Sequence, residues 1–192
     1  MSRLVLERIY YPVVTLGYGK RLGVWVRGCG RACPGCISPE LQPYEGDPVE
    51  VAQLIASLPE GFSADGMTIS GGEPFDQAEG VAELVRWFTE KVSRDVLVYT
   101  GYTVEELQAR GDPATDEILR MIAVLVDGAY MEARNDGKGL RGSANQRVIV
   151  QRFPERYLDA ESRERKVQYV GQQESLLQIG IPPGRKETRQ NK

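Results

Sequence analysis

The sequence predicts an α/β fold in which mostly parallel strands form an open sheet or a partial (β/α) barrel with an open side. Short apolar runs alternate with amphipathic stretches along most of the 192 residues. Each glycine-rich or polar motif directly follows one of the apolar runs. The length corresponds to one domain at roughly 150 residues per domain. In this class the working face lies at the carboxyl ends of the strands, so we expect the motifs to meet there.

Five strands and three helices are predicted in chain order. Asp47 at the cap position and Pro48 at the first helical position begin the first helix. Thr103 and Glu106 form a capping-box signature at the start of the third. The strands are expected at residues 22–28, 67–70, 95–101, 122–128 and 147–151, and the helices at 47–58, 78–91 and 103–110. This alternation predicts parallel βαβ units.

The chain continues for some 40 residues beyond the last of these strands. The highly charged stretch 154–166 is expected at the surface, and the runs 167–170 and 176–183 could pair as a short hairpin at the sheet edge. We therefore expect a single domain over residues 1–183, with its core at 10–150 and a C-terminal extension at 151–183. Residues 184–192 are expected to be a disordered tail.

The composition excludes several classes of protein. With 24 Lys and Arg against 27 Asp and Glu, the net charge is −3, which argues against a broad electrostatic contact with nucleic acid or anionic lipid. No apolar run approaches the ~20 residues of a membrane span, and Glu7 and Arg8 interrupt what would be the apolar core of a signal peptide. The chain has no histidine, which excludes Ser-His-Asp and Cys-His nucleophiles and His-ligated zinc or haem. A cytoplasmic location is expected.

All three cysteines of the chain, Cys29, Cys33 and Cys36, lie in one glycine-rich loop with the spacing C-x3-C-x2-C. Three thiolates on such a loop can converge on one face of an iron–sulfur cube, and an iron without a cysteine ligand stays open to another molecule. A structural zinc site would normally need a fourth Cys or His, which the chain does not have. Incidental cysteines, or a zinc site completed by a carboxylate, remain the alternatives.

This spacing after a first strand resembles the signature of the radical S-adenosylmethionine (SAM) superfamily. The resemblance implies a [4Fe-4S] cluster with the three cysteines as ligands, and an open iron that chelates the amino and carboxylate groups of SAM. A reducing electron then cleaves the sulfonium to give a 5′-deoxyadenosyl radical. Many members carry an aromatic residue before the third cysteine, where this chain has Gly35, so SAM contacts there are expected from the backbone of Gly35, Cys36 and Ile37.

A second motif, Ser70, Gly71, Gly72 and Glu73 followed by proline, ends the second predicted strand. By itself it is a tight turn whose glycines let the backbone approach a ligand and which Glu73 can brace. About 35 residues beyond the cysteine loop, it resembles the superfamily motif that holds the SAM amino group. These four residues are therefore predicted to bind SAM.

Three further segments, 98–102, 125–128 and 140–147, together with the opening YYPVVTLGYGKRLGVWVRGC, resemble the activating enzymes of anaerobic ribonucleotide reductase. The resemblance implies that a glycyl radical is generated on the large subunit of that reductase and that a flavodoxin-like protein donates the electron. No catalytic side chain beyond the cluster is implied. Candidates for SAM or partner contacts are Thr100, Asp127, Ser143, Asn145 and Arg147, of which Arg147 could instead form a structural salt bridge.

Two other functions stay open at this point. The chain could be a related small radical SAM enzyme that activates another glycyl radical enzyme or modifies a peptide or small molecule, because its extension is longer than in the smallest activases. It could also be an iron–sulfur electron-transfer protein, although three cysteine ligands and the glycine-rich turn argue against this.

Overall fold

The computed structural model describes residues 2–172 and 175–182. Within them, the α-helices are α1 (Val51–Ala56), α2 (Ala78–Lys91), α3 (Val104–Ala109) and α4 (Pro113–Met121). The strands are β1 (Arg3–Val13), β2 (Arg21–Val26), β3 (Pro48–Glu50), β4 (Gly66–Gly71), β5 (Val96–Tyr99), β6 (Val124–Asp127), β7 (Arg147–Val150), β8 (Gln168–Gln172) and β9 (Ser175–Ile179). Short 3-10 segments lie at Pro39–Leu41, Pro74–Gln77, Glu132–Arg134 and Pro154–Arg156.

Seven strands form the main sheet, in the order β3-β1-β2-β4-β5-β6-β7. The four strands β2, β4, β5 and β6 are parallel neighbours. This confirms the α/β class with a mostly parallel centre. The prediction of a parallel unit is wrong for β7, which pairs antiparallel with β6. A parallel return needs a crossover, usually a helix, whereas residues 128–146 contain no α-helix.

The amino-terminal side of the sheet differs from prediction. The strand β1 was not predicted, and it runs antiparallel to both β2 and β3. The expected helix start at Asp47 is also wrong, because Pro48–Glu50 pairs with β1 and the helix begins at Val51. Proline, which has no N–H to donate, is tolerated in such an edge strand. The capping box of Thr103 and Glu106 is confirmed at the start of α3.

The helices cover one face of the sheet. The largest cluster of buried apolar side chains joins residues of all four helices to the main strands. Helix α2 contributes Val81, Leu84, Val85 and Phe88, none more than 1% exposed. The spacing of three to four residues between these positions places them on one stripe of the helix, which is why the sequence pattern predicted this helix at its observed bounds.

The charged stretch 154–166 is only partly at the surface. Tyr157 and Ala160 are 4% and 2% exposed, and they pack in a second apolar cluster with Leu97 and Val124. The prediction of a surface segment is therefore wrong at these two positions. The apolar cluster and the Tyr157 hydroxyl, which donates to Asp95, attach the extension to the sheet.

A buried ion pair lies at the amino ends of the parallel strands, away from the motifs. The Arg21 guanidinium, fully buried, is 3.1 Å from the Asp95 carboxylate. It also donates to the Thr68 hydroxyl at 2.7 Å and to the Met67 carbonyl at 2.6 Å. Because a buried charge is tolerated only when it is paired and hydrogen-bonded, this network joins β2, β4 and β5 at one end.

Strands β8 and β9 pair antiparallel, which confirms the predicted hairpin. They form a separate two-stranded sheet and do not extend the edge of the main one. Residue 183 and the predicted tail at 184–192 lie outside the described residues. Across the described part of the chain, every helix is too short or too polar to span a bilayer.

Candidate functional site

A cavity opens at the carboxyl ends of the parallel strands. The loops that follow β2, β4, β5 and β6 all contribute to it. The predicted site residues that line it are Cys29, Cys33, Cys36, Ile37, Ser70, Gly71, Gly72, Glu73 and Thr100. Those outside its lining are Gly35, Asp127, Ser143, Asn145 and Arg147. The fold therefore brings the cysteine loop and the glycine-rich turn together.

Backbone hydrogen bonds determine the course of the cysteine loop. The Cys29 N–H donates to the Gln42 carbonyl at 2.9 Å, and the Cys36 N–H donates to the Cys33 carbonyl at 3.1 Å. The second bond closes a turn that has Pro34 at its second position and Gly35, with φ +70°, at its third. These are the residues that a type II turn requires. The positive φ of this turn therefore favours glycine at position 35, independently of any contact with a ligand.

The three thiols are free and half-buried, and all of them line the cavity. Among the described residues, no three Cys, Asp or Glu side chains are gathered closely enough to hold a single metal ion. A cube, by contrast, takes each thiolate at a different iron. Because the chain has only three cysteines and no histidine for a four-ligand zinc site, the donor set fits an iron–sulfur cluster better than mononuclear zinc. Burial raises the pKa of the Cys29 thiol.

The turn after β4 packs against the start of the cysteine loop. The Gly72 N–H donates to the Val26 carbonyl at 2.7 Å, and the Glu73 N–H donates to the Gly28 carbonyl at 2.8 Å. A Cβ at Gly72 would lie 2.2 Å from the Gly28 carbonyl oxygen, and one at Gly71, where φ is +108°, 2.3 Å from the Val26 carbonyl oxygen. Both glycines are thus required by close backbone approach.

The Glu73 carboxylate connects two of the loops beneath the cavity. It is 1% exposed and accepts from the Thr100 hydroxyl at 2.8 Å, the Gly101 N–H at 2.8 Å and the Phe75 N–H at 3.1 Å. Burial raises the pKa of Glu73 to about 7, and the three donors oppose that shift. Glu73 therefore braces the turn, as predicted, and holds Thr100 at the cavity lining.

Asp76 organises the outer side of the cysteine loop. Its carboxylate accepts from the Tyr44 hydroxyl at 2.6 Å, the Tyr102 hydroxyl at 3.0 Å and the Gly30 N–H at 3.4 Å. The Tyr44 ring lies so close to Gly28 that a Cβ there would be 2.2 Å from a ring carbon. Sequence reasoning missed Asp76, which lies three residues after Glu73 and has no motif of its own.

Asp127 and Arg147 form a network beside α3. Asp127, 1% exposed, accepts from the Val104 N–H at 2.8 Å and pairs with the Arg147 guanidinium. Arg147 also contacts Glu105 at 2.7 Å, and this hydrogen bond lowers the pKa of Glu105 to about 2. Of the two roles considered for Arg147, the structure shows the salt bridge.

The loop before β7 is held by its own side chains. The Ser143 hydroxyl accepts from the Met131 N–H at 3.1 Å, and the Asn145 side chain donates to the Ala129 carbonyl at 2.8 Å. Gln146, which was not predicted, accepts from the Ser143 N–H and lines the cavity. The sequence signal that could have identified Gln146 is its position between the predicted residues Asn145 and Arg147. Other cavity residues that the sequence analysis did not predict include Trp25, Arg31, Tyr99 and Tyr130.

Comparison with known proteins decides the family. A family model described as a 4Fe-4S single cluster domain matches residues 15–149. The anaerobic ribonucleoside-triphosphate reductase-activating protein of Haemophilus influenzae is 34% identical over 156 residues, which are 75% of this chain and 96% of that protein. This chain belongs to that family of activating proteins.

Other members of the activating-protein family agree. The Escherichia coli K12 protein of the same name is 34% identical over 149 residues, 72% of this chain and 94% of its own length. The corresponding protein of Enterobacteria phage T4 is 28% identical over 148 residues, 74% of this chain and 91% of its own. Since the matched family domain includes all three cysteines, it supports an iron–sulfur cluster in this member.

Proposed function

We propose that this chain is a radical SAM activase that generates a glycyl radical on an anaerobic ribonucleoside-triphosphate reductase. The observation that carries the proposal is the meeting of the three cysteines with the Ser70–Glu73 turn in one cavity. The names of the relatives, each an activating protein of that reductase, support the choice of partner.

We further propose that Cys29, Cys33 and Cys36 are the ligands of a [4Fe-4S] cluster and that SAM binds beside it. The chain holds no fourth cysteine and no histidine, which leaves one iron for an exogenous ligand. When bound, the cluster would relay the donor's electron, and SAM would supply the 5′-deoxyadenosyl radical that abstracts hydrogen from a glycine. The protein itself supplies binding, orientation and exclusion of water.

The chain's own residues prepare a site for the amino and carboxylate groups of SAM. Gly71 and Gly72 line the cavity, and the absence of their side chains lets this turn pack directly on the backbone of Val26 and Gly28 beside the cysteine loop. Ser70 and Thr100 add hydroxyls, and Glu73 adds a buried carboxylate that favours a nearby ammonium group. Contacts from the backbone of residues 35–37 complete the proposed SAM site.

The remaining predicted residues act around that site. Asp127 and Arg147 hold the start of α3 against β6 and β7. Ser143 and Asn145 shape the loop that carries Gly142 and Gln146 to the cavity. We propose that these four residues contribute to SAM binding by positioning the loops.

We propose that the sheet is a partial (β/α) barrel of the radical SAM type and that residues 1–183 form one domain. The helices cover one face, and the extension packs against the other through Tyr157 and Ile179, which supports both statements. The open side would admit a loop of the reductase. A flavodoxin-like donor would supply the electron, and the cytoplasm, where ribonucleotides are available, would be the location.

Anoxic incubation of the cluster-reconstituted protein with SAM and dithionite tests the chemistry. We expect 5′-deoxyadenosine above a cluster-free control, and loss of that product in Cys33→Ala. Addition of the reductase should then give a glycyl radical signal by electron paramagnetic resonance. A stable four-iron cluster that yields no 5′-deoxyadenosine, with or without the reductase, would contradict the proposal and favour electron transfer.

A further inference from the structure

The C-terminal extension reaches the cavity although it lies beyond the matched family domain, which ends at residue 149. Gln178, Ile179, Gly180 and Ile181 line the same cavity as the three cysteines. One side of the cavity in this protein is therefore built by residues outside the shared domain.

Hydrogen bonds hold the hairpin against the end of β1 and the residues that follow it. The Gln168 side-chain amide donates to the Pro12 carbonyl at 2.9 Å and accepts from the Val14 N–H at 3.2 Å. The Thr15 hydroxyl donates to the Ile179 carbonyl at 3.2 Å. The amide N–H and the amide oxygen of Gln168 thus hydrogen-bond two backbone groups at the end of β1. These two bonds specify the register of β8 along β1.

The end of the extension is held by a buried arginine. The Arg165 side chain, 3% exposed, donates to the Asn135 side chain at 2.6 Å and to the Pro182 carbonyl at 3.2 Å. It also donates to the carbonyl of Gly142, which lines the cavity, at 3.0 Å. One guanidinium thus joins the end of the extension to the loop before β7.

Apolar packing completes the attachment. Ile179 is 2% exposed and forms a cluster with Val13 and Leu16. Partly buried side chains around this cluster come from the main strands and from the hairpin, namely Tyr10, Trp25, Tyr99, Val170, Leu177 and Ile181. Trp25 and Tyr99 also line the cavity. Residues 178–181 are therefore a fixed wall of the cavity.

Resting on the proposed function, we propose that residues 178–181 are a client-facing wall that determines which glycine-bearing polypeptide segment reaches the cavity. Gln178 is exposed at this wall, and its amide can pair with both the N–H and the C=O of a peptide backbone. Gly180 presents backbone without a side chain. The wall and the cysteine loop enclose the cavity from two sides, which favours a slender, extended loop as its occupant.

The test compares two substitutions on the same face of β9. Gln178→Arg places bulk and charge at the wall, while Leu176→Arg changes an exposed residue that does not line the cavity. Each variant is reconstituted with its cluster and incubated with SAM, dithionite and the anaerobic ribonucleoside-triphosphate reductase of the source organism. The measured quantity is glycyl radical formed per 5′-deoxyadenosine released, with thermal unfolding as the check on folding.

We expect Gln178→Arg to lower this ratio at least tenfold and to weaken binding of the reductase in a pull-down, and Leu176→Arg to leave both unchanged. Gln178→Ala, which removes the amide without adding bulk, should lower the ratio less. Equal ratios in both arginine variants would overturn the inference while leaving the proposed function intact. A loss of 5′-deoxyadenosine in Gln178→Arg without the reductase would place the wall in the SAM site and also overturn it. No product from the unaltered chain would refute the proposed function and the inference together.

Discussion

Replacing Gly72 with alanine tests whether the glycine-rich turn and the cysteine loop are one packed unit. The added Cβ would lie 2.2 Å from the Gly28 carbonyl oxygen and 2.8 Å from its carbonyl carbon, so backbone has to move. Overpacking of this kind costs about 1–3 kcal/mol. Weakening of the two hydrogen bonds that Gly72 N–H donates to Val26 and Glu73 N–H donates to Gly28, each worth about 1 kcal/mol when intact, adds about 1 kcal/mol to a mid-range overpacking cost of about 2 kcal/mol, so the expected loss is about 3 kcal/mol.

Thermal unfolding and iron content measure the consequence. For a chain of this size, about 3 kcal/mol corresponds to a fall in Tm of about 6–12 °C. The matched control is Gly30→Ala in the cysteine loop, where the new Cβ would be 3.6 Å from its nearest neighbour, an ordinary contact. We expect Gly72→Ala to retain less iron after reconstitution than Gly30→Ala. Equal Tm and equal iron content in the two variants would refute the packing argument.

Three further outcomes follow from the buried groups. Asp95→Ala leaves the fully buried Arg21 without its counter-charge and should lower the free energy of unfolding by denaturant by about 3–5 kcal/mol. The control Glu117→Ala removes an exposed pair with Arg86 and should cost less than about 1 kcal/mol. Similar losses in the two variants would contradict the role of Asp95 as the counter-charge of Arg21. Because the pKa of Glu73 is raised from 4.5 to about 7 in the folded chain, its contribution to stability is full below pH 4.5, and about 3 kcal/mol is lost as the pH rises to about 7. Glu73→Gln should remove this pH dependence of the unfolding free energy. The same pH dependence in Glu73→Gln and in the unaltered chain would show that Glu73 is not its source. Asp76→Ala removes the acceptor shared by two tyrosines and the Gly30 N–H, so the reconstituted protein should lose iron faster with little change in Tm. Iron retention equal to that of the unaltered chain would exclude a role of Asp76 in holding the cysteine loop.

The sequence by itself determined the parallel centre of the sheet and the place of the site. Apolar periods and caps are local signals, and they indicated α2, the capping box at Thr103 and the four parallel strands. Once those strands are parallel, their carboxyl ends must share one edge, so motifs that follow them in sequence must meet. The sequence alone therefore predicts that the cysteine loop and the turn after β4 lie together.

Only the tertiary structure decided the partners of groups far apart in the chain. Arg21 and Asp95 are 74 residues apart, and nothing in the spacing of either indicates the other. Arg147 could equally have faced a ligand until the fold placed it between Asp127 and Glu105. The antiparallel strands at both sides, and the hairpin that became a wall of the cavity, depend in the same way on long-range packing. Local spacing specifies elements, whereas burial and pairing across the sheet decide what each exposed or charged side chain contacts.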